Sequence, residues 1–243
     1  IETFGAAGSY GVAINYAGID DARGVSLCPV VVKPAHAVRE RPLEDDRNSY
    51  TRRQRMRRLW ANCTRHWFVS SRTLVRGWIG AALLGGFNLV PMAGRVLSPL
   101  RYARLIEWLN WSILPEPRTE LAFERKDDTG HKAAEGLMMG FTVAEKADRI
   151  ESVLRPAGLT KGMARLVITL GHGSTSLNNP HESAYDCGAC GGRRGGPNGR
   201  LFAAMANHPE VRKKLRDLDI LIPDDTWFVG GYHDTCTDTI DLF

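Results

Sequence analysis

The chain has 243 residues, of which 43% are hydrophobic and 24% are charged. This is the composition of a folded globular protein, and it excludes a mainly disordered chain. Its 32 lysines and arginines exceed its 27 acidic residues, and the net charge of +5 permits an anionic partner without indicating one. Because the first residue is Ile1 rather than Met, we expect the sequence to be a piece of a longer polypeptide.

The cysteine pattern favours a reducing compartment over a disulfide framework. There are five cysteines, an odd number, and no secretory signal stands at the start of the sequence. Cys28 and Cys63 have apolar or aromatic neighbours, which predicts that both are small buried side chains. Cys187, Cys190 and Cys236 lie in the last quarter of the chain, together with four of the seven histidines.

Residues 1–45 are predicted to form the N-terminal part of an α/β domain. They begin with the glycine-rich stretch GAAGSYGVAINYAG. The valines at 30–32, bounded by Pro29 and Pro34, predict a strand.

Residues 46–114 are predicted to form a helical segment. Apolar residues recur there at spacings of three and four, with arginines between them. The basic run RRQRMRR at 52–58 could bind nucleic acid or acidic lipid, but we favour the solvated face of an amphipathic helix. Residues 77–94 carry no charge, but five glycines, an asparagine and a proline disfavour a membrane-spanning helix. We expect a core helix pair there, or a surface that docks on another protein.

Residues 115–136 are polar and contain proline and glycine, which is typical of a linker. Residues 137–243 are predicted to complete the α/β domain. A helix should begin at Thr142, because Glu145 follows at the spacing of a capping box. A buried strand is predicted from Leu166 to Leu170, with His172 just after it.

Two helices and a strand are predicted to follow. The first helix is predicted at residues 197–207, and the second begins at Pro209. The strand TWFVGGY then leads to His233. The order strand, helix, helix, strand is that of an α/β fold with a parallel sheet. Ligands in such folds collect at the carboxyl ends of the strands, where His172 lies.

The histidines and cysteines of this last region suggest a zinc site, since thiolate and imidazole are preferred zinc ligands. The residues alone leave two arrangements open. A structural site would take Cys187, Cys190, His233 and Cys236 as two knuckles. A catalytic-type site would use His172 and Cys187 with ligands from elsewhere. A third interpretation is that these side chains are buried or inert, because one C-x-x-C is a weak signal.

Three stretches together carry a family resemblance: GHGSTSLNNPHESAYDCGACGGRRGGPN, IPDDTWFVGGYHDTCTD and, near the start, ETFGAAGSYGVAINYAG. They resemble the probable inorganic carbon transporter subunit DabA family of bacteria. The resemblance implies a partial domain similar to β-class carbonic anhydrases. It also implies zinc held by two cysteines, one histidine and one aspartate, with His172 and Cys187 as two of the four ligands.

According to the resemblance, the other two ligands come from a Cys-x-Asp-x-Arg motif that lies upstream of Ile1. Cys236 and Asp238 have the right residue types but follow the His172 and Cys187 pair, and we take this likeness as coincidence. His181, Glu182 and Asp186 are candidate proton carriers or ligand supports, although a polar surface explains them as well.

The resemblance further implies a role outside this chain. The expected partners are carbon dioxide or bicarbonate and a DabB-like membrane subunit that translocates ions, and no nucleic acid is expected. The expected activity is zinc-dependent hydration of carbon dioxide, coupled to ion flow. The expected place is the cytoplasmic side of the bacterial inner membrane, as a peripheral protein that would be soluble without its partner.

Overall fold

The computed structural model describes residues 1–126, 136–175 and 185–243. Contacts divide the chain into two units. We call Ile1–Arg41 with Leu121–Phe243 the sheet unit, and Pro42–Glu120 the helical unit. The protein is a mixed α/β molecule with parallel strands, as predicted at that level.

A first sheet is built mostly from the N-terminal region. Its strands are β1 (Ile14–Ala17), β2 (Val25–Leu27), β3 (His36–Pro42), β4 (Thr119–Ala122) and β5 (Met138–Met139). Their order is β2-β1-β3-β4, and β5 also pairs with β3. The strand β3 runs parallel to β1 and β5, whereas β2 is antiparallel to β1. Strand β4 lies within the segment predicted as a linker, of which residues 127–135 lie outside the described residues.

The predicted strand at residues 30–32 is wrong. Val30 and Val31 are exposed in a turn, in which the backbone N–H of Val32 donates to the carbonyl oxygen of Pro29 at 2.8 Å. Proline can sit at a strand's start but donates no hydrogen bond, so the two prolines that bound the valine run favour the turn.

The second sheet consists of β6 (Leu166–Gly173), β7 (Trp227–Asp234) and β8 (Thr239–Leu242), in that order. The helices of the sheet unit are α4 (Val143–Leu154), α5 (Gly196–Asn207) and α6 (Pro209–Arg216). The helices, β6 and β7 confirm the predicted order, and β6 is parallel to β7. Helix α4 begins with the predicted capping box, in which Thr142 Oγ1 accepts from the Glu145 N–H and Glu145 accepts from the Thr142 N–H.

Glycines let α5 lie directly on one face of this sheet. A Cβ atom added at Gly171 would come within 2.1 Å of the Gly195 carbonyl oxygen, and one at Gly230 within 2.3 Å of the Arg200 Cα. The hydrophobic core around α5 includes Leu201, Phe202, Met205, Ile150, Phe141, Ile14 and Phe228.

The opposite face of the second sheet is only partly covered within the described chain. The register places Ile168 beside Val229 and His233 beside Ile240 on that face. Several of its apolar side chains are exposed, namely Leu166, Ile168, Trp227, Ile240 and Leu242. The prediction of a strand at 166–170 is therefore confirmed, but the prediction that it is buried holds for one face only.

The helical unit contains α1 (Arg47–Ser70), α2 (Leu74–Leu97) and α3 (Pro99–Ile113). All three helices lie within residues 46–114, for which helices were predicted. Cys63 is exposed on α1, so its predicted burial is wrong, whereas Cys28 is buried as predicted. By length and composition α2 is long and apolar enough to cross a membrane. Only Gly80 of α2 is buried, with Trp67 beside it, so α2 is not half of a buried core pair.

Candidate metal centre

His172 lies at the carboxyl end of β6. In the parallel register it is paired with His233 of β7. Thr169 donates its hydroxyl to the Gly199 carbonyl oxygen, and Gly171 approaches the start of α5. Because strand side chains alternate, His172 points away from α5, toward the side of the sheet without a helix.

The cysteine loop is a tight turn. The Cys190 N–H donates to the Cys187 carbonyl oxygen at 2.9 Å, and the Cys187 N–H donates to the Arg193 carbonyl oxygen at 3.1 Å. Gly191 and Gly192 both have positive φ, near 70°, which residues with a Cβ rarely adopt. Glycine thus folds the loop so that both thiols are fully buried.

Cys187 and His172 meet at a third residue, Gly8, near the start of the chain. A Cβ atom built on Gly8 would lie 2.5 Å from the Cys187 Sγ and 3.5 Å from both Nδ1 and Cε1 of His172. The thiol and the imidazole therefore converge on one point. Any side chain at position 8 would fill the space between them.

Two long-range sets of hydrogen bonds hold the segment around Gly8 in place. The Tyr10 hydroxyl donates to the Leu170 carbonyl oxygen on β6 at 2.7 Å. The buried Asn198 amide donates to the carbonyl oxygens of Val12 at 2.8 Å and Leu27 at 3.1 Å. The sequence analysis missed Gly8, Tyr10 and Asn198, because a glycine-rich segment carries no periodicity and Asn198 only marks a helix start.

The second cysteine of the loop, Cys190, lies against the first. Burial, and next the hydrogen bond with Cys187, raise the pKa of the Cys190 thiol well above its usual value. Cys190 therefore stays protonated at neutral pH in the absence of a metal. Burial and the two cysteines also raise the pKa of Tyr10 to about 12, so its hydroxyl remains a hydrogen-bond donor.

Two aspartates fix the ends of β6 and β7. Asp186 accepts a hydrogen bond from the Ser174 N–H at 2.8 Å. Asp234 is buried and accepts from Thr175 and, at 2.9 Å, from the Cys236 N–H. Burial would raise the pKa of Asp234, but these hydrogen bonds outweigh it and the pKa lies below its usual value. Of the predicted polar candidates, Asp186 is thus bound to backbone, while His181 and Glu182 lie outside the described residues.

The residues of the two-knuckle arrangement have other surroundings. His233 Nε2 lies 2.9 Å from the Asp238 carboxylate, and Cys236 is exposed. Among residues 1–126, 136–175 and 185–243, no three His, Cys, Asp or Glu side chains are grouped so that they could hold a metal ion. The described structure therefore brings His172 and Cys187 together at Gly8 and Cys190 next to Cys187, and it holds no group of three that could bind a metal ion.

The donor chemistry at Gly8 fits zinc. One sulfur and one imidazole nitrogen are the donor types that zinc takes, and a structural or catalytic zinc needs three or four protein ligands. The pair supplies half of such a set. The glycine at position 8 leaves the room that an ion between these two side chains requires.

Comparison with known proteins decides the family. The family described as "Probable inorganic carbon transporter subunit DabA" matches residues 1–243, which is the whole chain. The chain belongs to the DabA family. The resemblance noted in the sequence is thereby confirmed over the full length of the chain.

Curated DabA proteins from distant bacteria are similar to this chain. "Probable inorganic carbon transporter subunit DabA 1" of Sorangium cellulosum is 50% identical over 242 residues, which are 100% of this chain and 23% of that protein. The DabA protein of Methylococcus capsulatus is 42% identical over 252 residues, 100% of this chain and 23% of its own length. That of Salinibacter ruber is 36% identical over 249 residues, 100% of this chain and 30% of its own length.

The chain therefore spans about a quarter of the length of the Sorangium and Methylococcus proteins. No solved structure matches the chain.

Proposed function

We propose that this chain is part of a subunit of an energy-coupled inorganic carbon uptake complex, in which carbon dioxide is hydrated to bicarbonate at a zinc ion. Membership of the DabA family supports the role in inorganic carbon transport. The observation that carries the zinc site is the convergence of the Cys187 thiol and the His172 imidazole on Gly8.

In this proposal His172 and Cys187 are two of four zinc ligands. The remaining cysteine and aspartate come from a part of the full-length protein outside this chain. The rest of the local structure serves to hold the two ligands. The turn of the cysteine loop orients Cys187, the end of β6 orients His172, and Tyr10 keeps Gly8 between them.

A zinc ion held there would act as a Lewis acid that lowers the pKa of a coordinated water to about 7. The chain's own contribution is to hold the two ligand side chains in place. Cys190 is buried beside Cys187, and in this proposal it supports the turn that carries the ligand thiol. The proposal also includes the fold: the whole domain, with its parts outside this chain, would be similar to a β-class carbonic anhydrase.

The proposed complex includes a DabB-like membrane subunit that translocates ions, and its substrates are carbon dioxide and bicarbonate. The protein would lie on the cytoplasmic side of the bacterial inner membrane. Coupling of hydration to ion flow would make hydration one-way, and bicarbonate would accumulate inside the cell.

Zinc content of the full-length protein tests the ligand assignment. His172→Ala and Cys187→Ala should each abolish zinc retention and the ability to support growth that depends on carbon dioxide, because loss of one ligand opens a four-coordinate site. The matched control is Cys236→Ser, which removes an exposed cysteine and should retain the metal. Full zinc in either ligand variant would refute the assignment.

The Cys236→Ser variant also distinguishes the proposed function from an alternative one. A zinc-knuckle binding module would use Cys187, Cys190, His233 and Cys236, and the motif spacing is what favours it. It predicts zinc loss in Cys236→Ser and full zinc in His172→Ala. It also predicts tight zinc binding by the 243-residue chain alone, whereas the proposed half-site should bind zinc weakly and hydrate no carbon dioxide.

A further inference from the structure

The helical unit has a surface that the proposed zinc chemistry does not explain. Helix α2 exposes large apolar side chains in most directions around its axis. At about 100° per residue, Trp78, Leu83 and Leu84 point in three different directions, and all three are exposed. A helix that is apolar all round is found in a protein core or in lipid. Only 6% of the most apolar 18-residue stretch of α2 is buried within the described chain.

The charge of the protein is concentrated in the same unit. Residues 42–120 contain 13 arginines, no lysine and six acidic residues, a net charge of +7. The rest of the chain has 19 basic and 21 acidic residues, a net charge of −2. The overall positive charge of the protein is therefore a property of the helical unit alone.

Tryptophan follows the same distribution. Five of the six tryptophans belong to the helical unit, and all five are exposed: Trp60, Trp67, Trp78, Trp108 and Trp111. Tryptophan prefers the boundary between lipid headgroups and acyl chains, because its ring is apolar and its N–H is polar. An apolar helix, many arginines and exposed tryptophans together have the chemistry of a surface for anionic lipid.

The ends of the helical unit show how such a surface can meet a membrane. The Leu43 N–H donates to the Arg118 carbonyl oxygen at 3.0 Å, and Arg118 donates to Asp46 at 2.9 and 3.0 Å. The chain thus enters and leaves the unit at one place. A single crossing by α2 would put its two ends on opposite sides of a bilayer, and α3, which carries Arg101, Arg104 and Glu107, is poorly suited to cross back. The contact between the ends therefore excludes a single crossing and leaves insertion from one side.

We propose that the helical unit binds an anionic lipid bilayer directly, with α2 inserted into one leaflet and the surrounding arginines on the headgroups. The net charge of +7 favours an anionic lipid surface over a second copy of this chain as the binding partner. It attracts anionic headgroups, and it repels a second copy of the same surface. This inference goes beyond the proposed function. It replaces the expectations that residues 77–94 dock on a protein and that the protein is soluble without its partner.

Vesicle flotation of the purified full-length protein, without any membrane subunit, tests the proposal. The protein should float with vesicles of phosphatidylglycerol and phosphatidylethanolamine, and float poorly with phosphatidylcholine alone. Replacing three exposed arginines of α1 together, Arg52→Gln, Arg55→Gln and Arg58→Gln, should weaken partitioning by about 100-fold, since each basic residue contributes about fivefold. Phe87→Glu should weaken it by about tenfold or more, because it places a charge in the acyl layer.

The matched control is Trp227→Glu, which changes an exposed apolar residue of the sheet unit and should leave flotation unchanged. Circular dichroism of each variant verifies that the helices are retained. The proposal is overturned if the wild type ignores anionic vesicles, or if it binds only vesicles that contain the membrane subunit. It is equally overturned if Phe87→Glu floats like the wild type, or if its only effect is to dissociate a dimer in sedimentation equilibrium. Zinc content is independent of all these outcomes, so failure here leaves the metal site untouched.

Discussion

Two sets of glycines, one in each unit, have opposite surroundings. In the sheet unit, Gly171, Gly199 and Gly230 lie where any Cβ would strike backbone atoms of a neighbouring element. In the helical unit, a Cβ at Gly85 or Gly86 would meet nothing within 4 Å. The first set creates close packing that is already complete in this chain. The second set lies on a surface of α2 against which nothing packs within the described chain.

The largest effect should come from Gly171→Val. Its Cβ would lie 2.1 Å from a backbone oxygen that no rotamer change can move. We expect a loss of at least about 3 kcal/mol in the free energy of unfolding, the upper range of overpacking. Urea unfolding of the chain followed by circular dichroism measures it. Wild-type stability in this variant would show that α5 does not lie on the sheet as described.

Asn198→Ala should cost about 1–3 kcal/mol in the free energy of unfolding. The substitution leaves the Val12 and Leu27 carbonyl oxygens without the amide donor. The informative companion is Asn198→Asp, which preserves the size but presents an acceptor to these oxygens. If the aspartate variant were as stable as the wild type by the same urea titration, the hydrogen bonds would not be what holds the Gly8 segment.

In the helical unit, Gly85→Ala should instead increase the free energy of unfolding. The exposed position offers space, and alanine favours a helix over glycine by about 1 kcal/mol. The measurement is the helical signal and the urea midpoint, compared with Gly171→Ala in the sheet unit. Destabilisation by Gly85→Ala would mean that a neighbour packs against α2 closely.

The smallest expected effect concerns Asp234, and it appears only at acidic pH. The pKa of Asp234 is lowered in the fold, so its contribution to stability is present above the unfolded pKa of about 3.9 and is lost as the pH falls through the folded value. Asp234→Asn should reduce the slope of stability against pH in that window. High salt should leave this slope unchanged, because the donors are neutral hydroxyl and backbone groups rather than charged side chains. In the helical unit Arg118 of the Asp46–Arg118 ion pair is exposed, and the contribution of this pair should be screened by salt.

The sequence predicted the parts of the fold that local chemistry determines. The capping box at Thr142 set the start of α4, the prolines at 197 and 209 marked the first turns of α5 and α6, and the apolar run at 166–170 indicated β6. Local signals failed where the neighbours decide. Val30 and Val31 have strand propensity but no strand to pair with, and Cys63 has aromatic neighbours that are themselves exposed.

The candidate site could be predicted only in part, for a similar reason. His172 and Cys187 are conspicuous, because imidazole and thiol beside glycines suggest a metal. Gly8 is not, since its role is the absence of a side chain at a point fixed by residues more than 160 positions away. Asn198 is likewise recognised only when its three-dimensional partners are known.

The separation in sequence between Asn198 and its partners also determines when the site can form during protein synthesis. The Asn198 amide joins carbonyl groups 186 and 171 positions earlier, and Tyr10 reaches 160 positions forward. At roughly 5–20 residues per second, a ribosome needs roughly 10–40 s to travel from Val12 to Asn198. Throughout that interval β1 and β2 lack helix α5, and Cys28 lacks the covering that α5 and the cysteine loop later complete. The site is therefore among the last parts of the chain to form, and it forms after α1, α2 and α3 have already left the ribosome.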